Sequence, residues 1–197
     1  MDEERYEIRL GGSGGQGIIL AAVILAEAAG VHGDNYVCQT QSYGPEARGG
    51  KSKAEVVISS REIDYPKVIQ MDLFLAMNQV SLDAYFYDFK PNGLLVVDST
   101  LVSQLPTSRV IAIPFTRIAR ERFELEMVAN VVALGALGHL CPRVEPVHLQ
   151  EAVLARVPPH TRTLNSEAFE AGLAAAGEID LDALPRSIIP DQEDKEI

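Results

Sequence analysis

Residues 6–23 read YEIRLGGSGGQGIILAAV, and this stretch decides the fold class. Its first part, residues 6–10, is typical of a β-strand, and the run of helix formers at residues 18–29 is typical of a helix. Between them lies a glycine-rich segment, where backbone N–H groups can face outward without obstruction by a Cβ atom. Since the first turn of a helix carries partial positive charge, this order predicts a turn that binds an anion.

The pattern G-x-G-x-x-G is matched by Gly12, Gly14 and Gly17. The residues predicted to surround the anion are Gly12, Ser13, Gly14, Gly15, Gln16 and Gly17. A nicotinamide dinucleotide would need an acidic side chain about 20 residues further on, at the end of the second strand. Asp34 has this spacing but precedes the predicted strand at residues 36–41, so the sequence disfavours that cofactor. The alternative that the glycines serve only a tight turn and close helix packing stays open.

Length and composition favour one α/β domain over residues 1–177, followed by an acidic extended tail over residues 178–197. Short apolar runs at residues 72–77, 93–97 and 110–113 predict buried parallel strands. Strands alternate with helical segments at first, and helices gather towards the C-terminus, where the sequence predicts them over residues 116–122, 126–140, 147–155 and 166–176. This order predicts a three-layer α/β sandwich with a mostly parallel, Rossmann-like sheet.

Charge and composition exclude several functions. The net charge of −11 argues against nucleic-acid binding, which relies on a basic surface. No segment is typical of a secretion signal or a membrane span, which predicts a cytoplasmic protein with no membrane partner. Because Cys38 and Cys141 form no C-x-x-C pair and the histidines lack metal-ligand spacing, the sequence predicts no metal held by this chain. It predicts no catalytic residue either.

A second candidate site follows the predicted second strand, where positive charge gathers in an otherwise acidic chain. In a doubly wound sheet, the ends of the first two strands meet at the carboxyl edge, where ligands bind. An arginine there offers a planar fork to phosphate or carboxylate, and glycines let backbone amides approach it. The predicted binding residues of this loop are Ser42, Tyr43, Arg48, Gly49 and Gly50. The alternative is that Arg48 pairs with Glu46 inside a rigid loop.

Four segments together resemble the gamma subunit of 2-oxoacid:ferredoxin oxidoreductases. They are GSGGQG at residues 12–17, QSYGPEARGG at residues 41–50, Asp98-Ser99, and NVVALG at residues 130–135. The resemblance covers residues 6–177. Within the family, the second segment is most similar to that of the 2-oxoglutarate type.

The resemblance implies a complex that converts 2-oxoglutarate, coenzyme A and oxidised ferredoxin into succinyl-CoA, carbon dioxide and reduced ferredoxin. It implies that thiamine diphosphate, with Mg²⁺, lies on the alpha and beta subunits and that iron–sulfur clusters lie on beta or delta subunits. Those subunits are the implied partners, and this chain alone holds none of these cofactors. What remains for a gamma subunit is assembly and a contribution to coenzyme A binding. Two alternatives stay open, a purely structural docking subunit and a stand-alone Rossmann-like nucleotide-binding protein.

Overall fold

The computed structural model describes residues 4–43 and 50–188. Within them a six-stranded sheet has the strand order β2-β3-β1-β4-β5-β6. The strands are β1 (Arg5–Ser13), β2 (Tyr36–Tyr43), β3 (Lys51–Ser59), β4 (Met71–Ala76), β5 (Phe89–Asp98) and β6 (Val110–Ile113). The pairs β1–β4, β4–β5 and β5–β6 are parallel, and β3 is antiparallel to both of its neighbours. Five strands therefore point in one direction, which confirms the prediction of a mostly parallel sheet.

Six α-helices accompany the sheet in the described residues. They are α1 (Ile18–Glu27), α2 (Gln79–Tyr85), α3 (Phe115–Phe123), α4 (Ala129–Leu140), α5 (Pro146–Arg156) and α6 (Arg162–Gly177). The first helix continues into a single π-helical segment at Ala28–His32. No helix among the residues described has the length and apolar character that a membrane span requires.

The larger core lies between the first face of the sheet and helices α1, α3, α4, α5 and α6. Alternate strand residues such as Ile8 and Leu10 point into it and are fully buried. Helices α4 and α6 approach closely because both carry a glycine at the crossing. A Cβ atom at Gly135 would lie 1.9 Å from the Phe169 carbonyl oxygen, and one at Gly172 would lie 1.7 Å from that of Val132.

The second face of the sheet is covered by less structure. Helix α2 packs on β1, β3 and β4, and together with the segment after β5 it forms a smaller core around Phe74 and Leu95. The segment after α6 returns to this core, since Ile188 is 2% exposed and its N–H donates to the Pro91 carbonyl over 2.8 Å. Layers on both faces confirm the three-layer prediction. On this face α2 reaches β3, and polar residues of β2 and β3 beyond it line a groove.

Several predicted boundaries were wrong. Strand β1 does not end at residue 10 but continues to Ser13, because Gly11 and Gly12 pair with β3. Strand β5 begins at Phe89 rather than at residue 93. The helix predicted over residues 126–140 is divided, with a 3₁₀ turn at Glu126–Val128 before α4. Helix α6 begins four residues before the predicted start at residue 166.

Candidate functional site

The candidate site begins with the turn segment, residues 12–17, which joins β1 to α1 at the carboxyl edge of the sheet. Gly15 has φ 98° and Gly17 has φ 70°, and both values lie in the left-handed region that favours glycine. Gly17 has a second constraint, since a Cβ atom there would lie 2.2 Å from the Asn130 Nδ2 atom of α4. The turn therefore needs glycine both for its backbone conformation and for its contact with α4.

Hydrogen bonds hold the turn segment against the residues that directly follow β4. The Gln16 Oε1 atom accepts from the Ser13 N–H and from the Asn78 Nδ2 atom, each over 2.7 Å. The Asn78 amide also donates to the Ser13 hydroxyl over 2.7 Å, and the Gln16 amide donates to the Met77 carbonyl over 3.2 Å. The side chains of Ser13 and Gln16 thus shape the turn from inside.

Some backbone amides of the turn stay available to a ligand. The N–H of Gly14 donates to the Gly50 carbonyl over 3.1 Å, and the N–H of Gln16 donates to the Ser13 carbonyl. Within residues 4–43 and 50–188, the N–H groups of Gly15, Gly17 and Ile18 make no hydrogen bond. Helix α1 has no acidic residue in its first turn and no side-chain cap in the same ranges. These amides and the helix dipole favour an anion at this position.

A cleft of about 290 Å³ opens beside the turn segment. Its lining residues are Gly14, Gly15, Gln16, Met77, Thr116, Glu126, Met127 and Ala129. Met127 is 77% exposed and gives the cleft an apolar rim. Glu126 pairs with Arg120 over 2.8 Å, so its negative charge is partly balanced. The cleft therefore joins free backbone donors on one side to an apolar surface on the other.

The far wall of the cleft is fixed by a buried carboxylate at the end of β5. Asp98 is fully buried and accepts hydrogen bonds from the N–H and hydroxyl groups of Thr116. It also accepts from the Thr100 N–H over 3.0 Å. These bonds leave Asp98 committed to the start of α3. Asp98 therefore positions the wall of the cleft, and both of its carboxylate oxygens are already engaged in hydrogen bonds within the protein.

The structure brings the ends of β1 and β2 to the same edge, as the sequence predicted, but with β3 between them. Ser13 is paired with Lys51, and Tyr43 is paired with Ser52. Gly50 contacts the turn segment through its carbonyl. Ser42 lines a different groove on the second face. The predicted residues Arg48 and Gly49 lie outside the described residues.

Sequence reasoning missed the other residues of the cleft region, among them Asn78, Thr116 and Met127. Asn78 follows β4 and caps α2, with its side chain accepting from the Ser81 N–H over 2.8 Å. A polar residue directly after a buried strand was the signal for this position. Nothing local marks Met127, because its place beside the turn depends on how α4 crosses the sheet.

The two cysteines do not form a reactive centre. Because Cys141 is only 2% exposed, burial raises the pKa of its thiol to about 12. Cys38 lies on β2, and both cysteines are free thiols. In the described part of the chain, no three His, Cys, Asp or Glu side chains are grouped so that they could hold a metal ion.

Comparisons with known proteins agree with this geometry. The family model described as pyruvate ferredoxin/flavodoxin oxidoreductase matches residues 7–175. The 2-oxoglutarate synthase subunit KorC of Methanocaldococcus jannaschii is 49% identical over 179 residues, which cover 89% of this chain and 96% of that protein. KorC of Methanothermobacter thermautotrophicus is 46% identical over 87% of this chain and 95% of its own length.

Two solved structures extend the comparison. The keto/oxoacid ferredoxin oxidoreductase gamma subunit of Geobacter sulfurreducens has a TM-score of 0.79 and 44% identity, covering 88% of this chain and 99% of its own. The 2-oxoglutarate:ferredoxin oxidoreductase of Magnetococcus marinus, with 2-oxoglutarate, coenzyme A and succinyl-CoA bound, has a TM-score of 0.80 and 26% identity. The match covers 91% of this chain but 32% of that longer chain. This chain therefore belongs to the pyruvate ferredoxin/flavodoxin oxidoreductase family, as a protein of the gamma-subunit type.

Proposed function

We propose that this chain is the gamma subunit of a 2-oxoglutarate:ferredoxin oxidoreductase complex, and that its turn segment and cleft bind coenzyme A. The complex would convert 2-oxoglutarate, coenzyme A and oxidised ferredoxin into succinyl-CoA, carbon dioxide and reduced ferredoxin. The observation that carries the proposal is the N–H of Gly15, which lines the cleft and makes no hydrogen bond within the described residues, followed by the N–H groups of Gly17 and Ile18 at the start of α1. Its support from relatives is the 49% identity to a 2-oxoglutarate synthase subunit over nearly its whole length.

The cleft suits both chemical parts of coenzyme A. The diphosphate is an anion that backbone N–H groups at a helix start stabilise without a lysine or arginine. The thioether of Met127, on the exposed rim, offers an apolar contact to the pantetheine chain or the adenine ring. Such a site binds and orients the acceptor of the acyl group. It performs no bond breaking itself, which agrees with the prediction that no residue of this chain is catalytic.

The remaining cofactors are assigned to the partners. Thiamine diphosphate with Mg²⁺ supplies decarboxylation of the 2-oxo acid, and we place it on the alpha and beta subunits. We place the iron–sulfur clusters on the beta subunit or on a delta subunit, which pass electrons to ferredoxin. The described residues of this chain, which lack a metal-ligand group, fit this division. We further propose a cytoplasmic location and a single domain over residues 1–177 with an acidic tail over residues 178–197.

The test is a charge introduced on the rim of the cleft in the purified complex. Met127→Glu should raise the KM for coenzyme A at least tenfold in dye reduction with 2-oxoglutarate, because the carboxylate repels the diphosphate. The release of carbon dioxide from 2-oxoglutarate before acyl transfer should not change. Val147→Glu is the matched control, since Val147 is 55% exposed on α5 and does not line the cleft.

One result would favour the alternative of a docking subunit without a ligand. If Met127→Glu prevents assembly with the other subunits while the KM for coenzyme A in any complex that forms is unchanged, the cleft is an interface. The variant Arg48→Ala independently tests the second loop. Because it removes a positive charge, it should weaken succinyl-CoA formation more than decarboxylation. An equal loss in both reactions would count against a role in coenzyme A binding.

A further inference from the structure

A polar groove of about 280 Å³ lies on the second face of the sheet, along β2 and β3 and beside α2. It is lined by Thr40, Gln41, Ser42, Lys53, Glu55 and Lys67. Ser42 is paired with Lys53, and Thr40 is paired with Glu55, so these side chains share one face of the β2–β3 pair. The turn segment leads into α1 on the first face, and none of the groove residues lines the cleft beside it.

The floor of the groove carries more positive than negative charge. The buried Glu55 carboxylate accepts from the Arg9 guanidinium over 2.8 and 2.9 Å and lies 3.0 Å from the Lys53 ammonium. One carboxylate is therefore shared by two cations. The side chains of Arg9 and Glu55 are 3% and 7% exposed, which shields their pairing from solvent. The positive charge of the Lys53 ammonium is therefore only partly neutralised, and it can still attract an incoming anion.

Lys67 adds a second ammonium group at the mouth of the groove. Its backbone is held in place, because the Arg5 guanidinium donates to the carbonyls of Tyr65 and Lys67, each over 2.8 Å. The Glu7 carboxylate accepts from the backbone N–H groups of the two residues at 69–70. Among residues 4–43 and 50–188, the Lys67 ammonium has no carboxylate partner. The loop therefore positions the Lys67 ammonium group, and no carboxylate in the described residues neutralises its charge.

The β2 side of the groove supplies neutral donors. In the described ranges, the hydroxyl groups of Thr40 and Ser42 make no hydrogen bond. Two ammonium groups and two hydroxyl groups match the charge and the oxygens of a phosphate monoester dianion. A single carboxylate ligand would neutralise only one of the two lysines. We propose that this groove is a second anion site, which takes the phosphate monoester group of a ligand.

The proposal goes beyond the proposed function because the groove is separate from the cleft. Two sources could supply the monoester. One is the 3′-phosphate of coenzyme A, whose diphosphate would occupy the cleft, and this source rests on the proposed function. The other is a separate phosphorylated metabolite, which does not depend on that function.

The experiment measures binding to the full chain by calorimetry, with inorganic phosphate, coenzyme A and dephospho-coenzyme A as probes. The decisive variant is Lys67→Gln, because Lys67 is exposed and its side chain supports no described contact. Lys53→Gln is a second variant, and Arg61→Gln is the control, since Arg61 is 76% exposed in a surface pair with Glu4. Thermal unfolding verifies that each variant is folded.

The proposal is supported if Lys67→Gln weakens phosphate binding about tenfold and Arg61→Gln does not, as expected for loss of one close charge. If coenzyme A also binds at least tenfold more tightly than dephospho-coenzyme A, and Lys67→Gln removes that difference, the source is the 3′-phosphate. If the two coenzymes bind equally but phosphate binding still depends on Lys67, the source is a separate metabolite. If neither phosphate nor the 3′-phosphate depends on Lys67, the groove is not an anion site. Coenzyme A binding that stays sensitive to Met127→Glu would leave the proposed function intact.

Discussion

At the scale of single residues, the glycines of the turn segment serve different needs. Gly15 and Gly17 both have positive φ, but a Cβ atom at Gly15 would meet nothing within 4 Å, whereas one at Gly17 would overlap Asn130. In the sequence, Asn130 is a polar residue in an apolar stretch, which must find a partner if it is buried, and it is also part of the family resemblance. The structure gives it a concrete place, as the side chain of α4 that abuts the turn. Substitutions at Gly15 and Gly17 can therefore separate the cost of the backbone conformation from the cost of the contact with Asn130.

We expect Gly15→Ala to lower the free energy of unfolding by about 1–2 kcal/mol, because the left-handed region costs alanine roughly that amount. Gly17→Ala should cost about 1 kcal/mol more, since the new methyl group forces the Asn130 side chain away from the turn. Urea denaturation measures both. The double variant Gly17→Ala/Asn130→Ala should recover this extra cost. Equal costs for the two alanine variants would show that the Asn130 contact is unimportant.

Residue-level prediction from sequence succeeded where the signal is local. The turn glycines are recognisable because a strand, glycines and a helix follow one another within residues 6–23. Lys67 is not recognisable as a neighbour of Lys53, because Arg5 and Glu7 bring it there from another part of the chain. Ser13 and Gln16 were correctly assigned to the turn, but only the structure shows that their side chains bond within it.

At the scale of helices and strands, short apolar runs made some strands easy to predict. The strand predicted at residues 110–113 is observed with the same bounds, because a short apolar run has few alternatives. Strand β1 was cut short in the prediction because Gly11 and Gly12 are typical of loops. Their place in the strand depends on pairing with β3, and sequence patterns contain no information on that pairing.

The crossing of α4 and α6 gives a prediction at this scale. Gly172→Ala should lower the free energy of unfolding by about 3 kcal/mol or more, because its methyl group would meet the Val132 carbonyl and both helix backbones must separate. Gly177→Ala is the control on the same helix, where a Cβ atom meets nothing within 4 Å. It should change stability by no more than about 0.5 kcal/mol. Chemical denaturation of the two variants decides, and a cost below about 1 kcal/mol for Gly172→Ala would contradict this account.

At the scale of the whole molecule, the two faces of the sheet differ in cover. In the described structure the first face has five helices, and the second has α2, which packs on β1, β3 and β4. The segment after α6 completes the cover of β5. Arg109 links this segment to β5. Its guanidinium donates to the Pro185 carbonyl in the segment and to the carbonyls of Asn92 and Gly93 in β5.

Ile188 is the apolar contact of that segment, and it gives the last prediction. Ile188→Ala should lower the free energy of unfolding by about 2 kcal/mol, because a buried isoleucine in the smaller core is truncated. Leu181→Ala is matched to it in the same segment but 42% exposed, so its effect should stay within about 0.5 kcal/mol. Thermal and urea unfolding provide the measurement. Equal effects of the two variants would mean that the segment is not packed on the sheet in solution.

The parallel arrangement of β1 and β5 also has a consequence for covalent linkage. Both strands start at the edge of the sheet opposite the cleft, so Arg5, at the start of β1, lies there, and so does Ile188, which bonds to Pro91 near the start of β5. The two described ends of the chain therefore share the edge of the sheet opposite the cleft. A fusion partner joined near either end would start away from the cleft. That placement is compatible with a longer polypeptide such as the Magnetococcus marinus chain, of which the matching region forms about a third.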